Sequence, residues 1–265
     1  MTPYTHGHHE SVLRSHRWRT AENSAGYLLP HLRAGQHVLD VGCGPGTITL
    51  DLAPRVEPGF VVGVDAAAEV IEAAERAHEE RAARNVEFRV ADAYALPFDD
   101  ASFDVVHAHQ VLQHLAEPVA ALREWRRVLA PGGVLAARDS DYAAFAWAPR
   151  DPRLDRWLEL YHQVTRRNGA EADAGRFLLG WVRAAGFDDV TYSSSTWTYA
   201  TDPDRRWWAD LWADRVEQSA FAEQAVAYGL ATADELAEIA AAWRAWGAER
   251  DGVFVVVHGE VLATC

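Results

Sequence analysis

An α/β fold, doubly wound around a mostly parallel sheet of seven strands, is what this sequence predicts, and three observations carry the expectation. From residue 36 onward, short β-branched runs alternate with stretches of helical periodicity. The first of these runs, residues 38–41, feeds directly into the glycine turn Gly42-Cys43-Gly44-Pro45-Gly46. At 265 residues and 49% apolar content, the chain suffices for one complete core with insertions but is short for two independent ones.

Taken in order, residues 1–34 open with the polar Tyr4-Thr5-His6-Gly7-His8-His9 and then predict an amphipathic helix from Thr20 to near Pro30 and Gly35. Strands are expected at 38–41, 60–64, 86–90, 103–107 and 134–138. Helices from Gly46, over 67–84 and over 119–129 separate them, with Pro131-Gly132-Gly133 as the turn into the fifth strand. Beyond Asp139 the alternation loosens. Helices are expected over 154–167 and 174–185, a strand over 190–199, and two or three helices between 204 and 246. A closing strand over 253–257 follows the turn-forming Asp251-Gly252.

Charge and composition narrow the partners. Net charge is -14, and all 25 basic residues are Arg, scattered along the chain with no Lys among them. Such a surface disfavours nucleic acid phosphates and anionic membranes, and the missing amine removes Schiff-base, lysine-base and P-loop chemistry. Two cysteines, Cys43 and Cys265, offer neither a disulfide framework nor a zinc spacing, so no metal is expected. The first 16 residues lack an apolar signal core, and no stretch approaches the ~20 apolar residues that cross a bilayer. The expected setting is cytoplasmic.

Chemistry concentrates around the glycine turn. Its glycines let backbone approach a ligand closely, and the helix beyond them presents free N–H groups. A dinucleotide fingerprint G-x-G-x-x-G begun at Gly42 requires glycine at position 47, where the chain has Thr47. Asp65 ends the second strand about 20 residues past the glycines, where a carboxylate can grip a ribose diol, and Asp92 ends the third. Each acid taken singly also reads as a helix cap or turn residue. Together with Asp40 they mark one sheet edge, the edge where open parallel sheets bind ligands.

Asp40 to Gly46, an acid-x-Gly-x-Gly-x-Gly run, resembles the first motif of the class I S-adenosylmethionine-dependent methyltransferases. Val61-Val62-Gly63-Val64-Asp65, Val90-Ala91-Asp92-Ala93 with Leu96-Pro97-Phe98, and Arg127-Val128-Leu129-Ala130-Pro131-Gly132-Gly133 continue the likeness in the family's order. Within the class the sequence looks most like the small-molecule branch that includes the ubiquinone and menaquinone biosynthesis methyltransferases. The resemblance implies S-adenosylmethionine as cofactor, with Asp40, Gly42, Cys43, Gly44, Gly46 and Thr47 in its loop. Asp65 and Ala66 would stand at its ribose, Asp92 and Ala93 at its adenine, and His109 and Gln110 at its methionine part. It also implies a division of the chain into a lid over 1–34, a cofactor core over 36–139, cap helices with the sixth strand over 140–250, and a closing strand over 251–265.

The acceptor side is read from histidines and acids near the same edge. Transfer of a methyl group is mainly alignment, and a base matters only where the acceptor carries a proton. His109, His114 and Asp139 are the candidate catalytic groups, while His107, inside its strand, reads as a core histidine. His114 reads equally as structural, and Asp139-Ser140-Asp141 equally as a capping turn. Cys43 reads as a small filler. By the resemblance, the lid residues Tyr4, His8, His9 and Arg19 would touch acceptor or cofactor, while Asp141, just past the fifth strand at the ligand edge, could orient an acceptor hydroxyl or amine. Arg176 reads as a surface ion-pair partner. Six tryptophans at 197, 207, 208, 212, 243 and 246 read as packing, some of them available to line an apolar pocket. The expectation is methylation of a small molecule at carbon, oxygen or nitrogen. A non-methylating reaction such as decarboxylation, hydroxylation or cyclisation, and a non-catalytic cofactor-binding partner, are the alternatives.

Overall fold

A computed structural model describes Thr5, residues 10–81 and residues 83–265, with the side chains of 10–13 excepted. The expected residues Tyr4, His6, His8 and His9 lie outside the described residues. Helix α1 spans Glu10–Arg17 and α2 spans Ala21–Ser24. The helix expected from Thr20 is therefore one short turn. Thr20 caps it with a reciprocal capping box to Asn23, but Gly26 and Pro30 prevent its continuation.

From there the alternation runs as predicted. Strand β1 (His37–Val41), helix α3 (Thr47–Val56), β2 (Phe60–Asp65), α4 (Ala68–Arg81), β3 (Val86–Val90), β4 (Phe103–His109), α5 (Pro118–Val128) and β5 (Leu129–Ser140) make the doubly wound part. Strand β6 (Ala146–Ala148), helices α6 (Pro152–Arg167) and α7 (Ala174–Ala184), and β7 (Asp189–Tyr199) follow. Then come α8 (Asp202–Gln218), α9 (Ala220–Ala227), α10 (Ala233–Ala248) and β8 (Val253–Thr264).

Among the described residues the sheet has eight strands, in the order β3-β2-β1-β4-β5-β8 with β7 on the far edge of β8. Every pairing from β3 to β5 is parallel, and β8 runs antiparallel to all its partners. The strand beyond the expected seven is β6, which pairs with residues 253–255 of β8. Its three residues carry too short an alternation to register as a strand in sequence. Strand β8 also outruns its expected end, because β5 and β7 pair along it as far as Thr264.

Three apolar cores follow from this arrangement. Leu50, Ala53 and Ile71 of α3 and α4, with Ala21 and Leu28, cover one sheet face, and Leu122, Trp125, Leu178 and Val182 of α5 and α7 cover the other. The third core lies in the cap, where Trp157, Trp212, Trp243 and Phe254 meet edge to face, stacked or tilted at 4.5–6.3 Å. No helix of the described residues is long and apolar enough to cross a membrane.

Trp157 is fully buried at the centre of the cap core. Trp157→Ala is expected to cost about 3–5 kcal/mol by urea unfolding, the range for removing a large buried aromatic.

Candidate active site

The first parallel strands end on one edge, and the chain there is shaped for a ligand. Gly42, Gly44 and Gly46 all adopt left-handed backbone (φ +68°, +56° and +78°). At Gly42 the requirement is double, because a Cβ would also sit 2.4 Å from Val111 Cγ2. Cys43 is a buried filler whose thiol is pushed well above its ordinary range, first by desolvation and then by the charges of Asp40 and Asp65.

Asp40 holds the edge together from within. Its Oδ1 meets His107 Nδ1 at 2.7 Å and its Oδ2 accepts from Thr49 Oγ1 at 2.6 Å, so one buried carboxylate joins β1, β4 and α3. His107 is the core histidine its strand position suggested. Asp65 accepts the Gly44 N–H at 3.2 Å and the Ala67 N–H at 3.1 Å, which ties the glycine turn to the end of β2. Asp92 is exposed and accepts the Tyr94 N–H through Oδ1 in a local turn. Thr47 donates to the carbonyl of His16 at 3.3 Å and thereby docks the end of α1 on the loop.

Asp40, Gly42, Cys43, Gly44, Thr47, Asp65 and Asp92 line one end of a cavity of about 1300 Å³ that also takes in Ala66, Ala93, His109, Gln110 and His114. Its far end is an aromatic chamber of Trp18, Tyr142, Phe145, Trp197, Tyr199, Trp207, Trp208 and Trp212, with Arg19 and Arg215. Cavities for drug-sized ligands run to ~1,000 Å³. This one exceeds that and has room for a cofactor and a second molecule.

His109 sits between the two ends. Its ring lies 5.5 Å from that of Trp197, and neither ring nitrogen has a hydrogen-bond partner among the described residues. Burial, then the charges of Arg19 and Arg138, hold its pKa well below the ordinary histidine value, so it is a neutral imidazole. His114 closes a 3-10 turn over Leu112–His114 instead of opening a helix, because α5 starts only at Pro118. Burial, then Arg19 and Arg215, bring it down to about 3.

Gln110 anchors the mouth. It takes a left-handed backbone (φ +55°), donates its N–H to the Arg138 carbonyl at 2.7 Å, and accepts Arg19 Nη2 through Oε1 at 2.5 Å. Its Nε2 donates to Ser140 Oγ at 2.7 Å and lies 2.9 Å from His258 Nε2. Behind it, Arg138 donates to His258 Nδ1 at 3.0 Å and to Glu260 Oε1 at 3.0 Å, and its guanidinium carbon stands 4.9 Å from the Trp197 ring centre. Burial brings Arg138 down to about 10 despite Glu260.

Three expected residues stand apart from the cavity: Gly46, where a Cβ would meet Phe88 and Ala74, and the acids Asp139 and Asp141. Successive strand residues face opposite sides of a sheet, so Ser140 lines the cavity while Asp139 points into the core behind it. Asp139 Oδ1 accepts the Gln113 N–H at 3.0 Å and holds the 110–114 turn in place. Asp141 is buried and grips Arg176 through both carboxylate oxygens, at 2.5 and 2.7 Å. Arg176 is thus an ion-pair partner, and Asp141 does not line the cavity.

Several cavity residues escaped the sequence reading. Tyr142, Phe145 and Arg215 sit in segments with no spacing signal, and only the return of α8 past α1 brings Arg215 to the site, where it donates to Ser15 Oγ at 3.0 Å. The tryptophan tract divides. Trp197, Trp207, Trp208 and Trp212 line the chamber, whereas Trp243 and Trp246 belong to the cap core.

Fold and edge together define a nucleotide-type cofactor site in a doubly wound sheet, with acids at successive strand ends. Residues 32–186 match the methyltransferase domain family, and the chain belongs to that family. It is 34% identical to an uncharacterised methyltransferase of Schizosaccharomyces pombe, over 98% of this chain and 95% of that one. A 27-O-demethylrifamycin SV methyltransferase of Amycolatopsis mediterranei is 34% identical over 69% of this chain and 67% of its own length. Among solved structures, the [4+2]-cyclase SpnF aligns with a TM-score of 0.53 and 25% identity, over 94% of this chain and 79% of that one. The protein is an S-adenosylmethionine-dependent methyltransferase. The edge fits that cofactor: in front of Gly44 a Cβ would meet only His16 Nδ1 at 3.7 Å, which leaves the turn open to the cavity.

Asp139, pushed up to about 7 by burial against its backbone donors, makes a stability prediction. Its folded pKa lies above the usual carboxylate value of 3.8, so its contribution is full below that value and is lost as pH rises toward 7. Asp139→Asn keeps an acceptor for Gln113, and its melting temperature relative to the native chain is expected to climb between pH 4 and 7 in thermal scans.

Proposed function

We propose that the protein methylates a small molecule held in the aromatic chamber, with His109 beside the reacting atom. The observation that carries this reading is the single cavity running from the glycine turn, past His109, to the ring-lined chamber. Bound at the glycine turn, S-adenosylmethionine supplies a methyl group on a cationic sulfur. The chain's part is placement. The glycine turn with Asp65, Ala66, Asp92 and Ala93 holds the cofactor, while Trp197 and Tyr199 orient the acceptor. The described part of the N-terminal segment, through Arg19 and the docked end of α1, covers the site as a lid.

Orientation of this kind supplies several kcal/mol, with ~7–11 as the extreme. Where the acceptor carries a proton, His109 accepts it, and His114 shapes the turn that presents His109. A neutral imidazole also spares the cationic sulfur any repulsion. The small-molecule reading gains support from the aromatic-lined chamber, from the acidic net charge of -14, and from the rifamycin methyltransferase among the relatives.

A second reading, in which the same fold catalyses a cyclisation without methyl transfer, draws on the likeness to SpnF. Product mass and release of S-adenosylhomocysteine separate the two.

His109→Phe preserves ring volume and removes both nitrogens. It is expected to lower kcat for a proton-bearing acceptor by ~10²-fold, the low end for general-base catalysis, because an imidazole with so depressed a pKa is a weak base. Cofactor affinity by calorimetry should stay unchanged. An unaltered rate of S-adenosylhomocysteine release counts against His109 as the base.

A further inference from the structure

An open sheet leaves unpaired N–H and C=O groups along its outermost strands, and such an edge invites pairing with another chain unless something blunts it. Among the described residues this sheet has three outermost strands, and two of them are blunted. Strand β3 is five residues long and carries Glu87 and Arg89, which pair with each other. Strand β6 has three residues and stops at Pro149. Strand β7 has neither protection. It runs for eleven residues in an unbroken register with β8, with no proline, no bulge and a single charge, Asp189 at its start. No other strand among the described residues lies along its outer side, and residues 191–194, Thr196 and Thr198 are exposed.

We infer that β7 is the contact of a homodimer, in which two copies pair this strand antiparallel about a twofold axis at Ser194. That register uses all eleven residues, and in it the strand fits its own reverse. On one face it sets Tyr192 opposite Thr196 and Val190 opposite Thr198, cross-strand pairs of the aromatic and β-branched kinds that stabilise sheets, with Ser194 facing itself. On the other face Ser193 meets Ser195, and hydroxyls both donate and accept. The strand's one charge, Asp189, faces Tyr199 of the second copy, so no like charges oppose each other. A twofold pair also closes on itself, which uses up the open edge without starting a fibre.

Charge points to the same place. At a net charge of -14 two copies repel each other in general, and the run over 190–199 offers them an edge with no charge on it. The two rings that β7 gives the cavity, Trp197 and Tyr199, are buried on its inner face, so the contact and the methylation site do not compete for them. Eleven residues a side is small against the about 20–30 of a standard interface, which sets the dimer at the weak end, with a dissociation constant on the order of micromolar.

The test uses the full chain over a range of roughly 1–100 µM, which brackets that constant. Sedimentation equilibrium is expected to reach twice the chain mass at the upper end. Hydrogen exchange read by mass spectrometry is expected to show the outward amides of residues 190–198 exchanging several-fold more slowly there than at the lower end. Ser194→Lys sets two ammonium groups face to face at the axis and should weaken the dimer by at least ~10-fold, while S-adenosylhomocysteine affinity by calorimetry stays unchanged. A monomer throughout the range, a dimer whose amides over 190–198 exchange alike at both ends of it, or a dimer unaltered in a folded Ser194→Lys chain overturns the inference. Where the variant fails to fold, amide exchange in the native chain decides.

Discussion

The site depends on one side chain that has to satisfy three parts of the molecule at once. Gln110 leaves β4 in a left-handed conformation that a non-glycine residue adopts only when its surroundings demand it. Its carboxamide reaches Arg19 from the N-terminal segment, Ser140 from β5 and His258 from β8. The last of these leads to the buried Arg138 and Glu260 and the half-buried Ser195, a set that spans the three strands β5, β8 and β7. A buried polar network is costly when one member is unpaired and rigid when all are paired. Here it fixes the segment preceding β1 to the centre of the sheet, and His109, one residue before Gln110, inherits its place from it.

The cofactor end was legible in the sequence because its signals are local. A strand, a glycine turn and an acid at the next strand end follow one another within thirty or so residues, and each has a backbone reason to be what it is. Thr47 excluded the dinucleotide pattern correctly, and its hydroxyl now proves to dock α1. Asp65 and Asp92 line the cavity while each also caps a local turn, so facing a cavity and capping a turn are compatible for an acid at a strand end.

The acceptor end was less legible for an equally physical reason. Arg215 and Tyr142 meet in the chamber from α8 and from the turn after β5, and no spacing along the chain encodes that meeting. Strand parity decided Asp139: one position from Ser140, it faces the opposite side, and the strand's register could not be counted through the bulge near Pro131. Asp141 was lost to Arg176, whose partner could not be named without the return of α7 to the sheet. Short elements were the remaining difficulty, as β6 and α2 show.

Strand β8 follows every other element in chain order, yet it lies inside the sheet, between β5 and β7. Its Phe254 completes the cap core and its Val256 the chamber wall. During synthesis, then, β1 to β5 can pair as they emerge, while β7 and the cap helices wait with their apolar faces uncovered for a strand still inside the ribosome. The aromatic chamber comes into being only after β8 emerges, and a nascent chain can acquire its cofactor edge well before that chamber has walls.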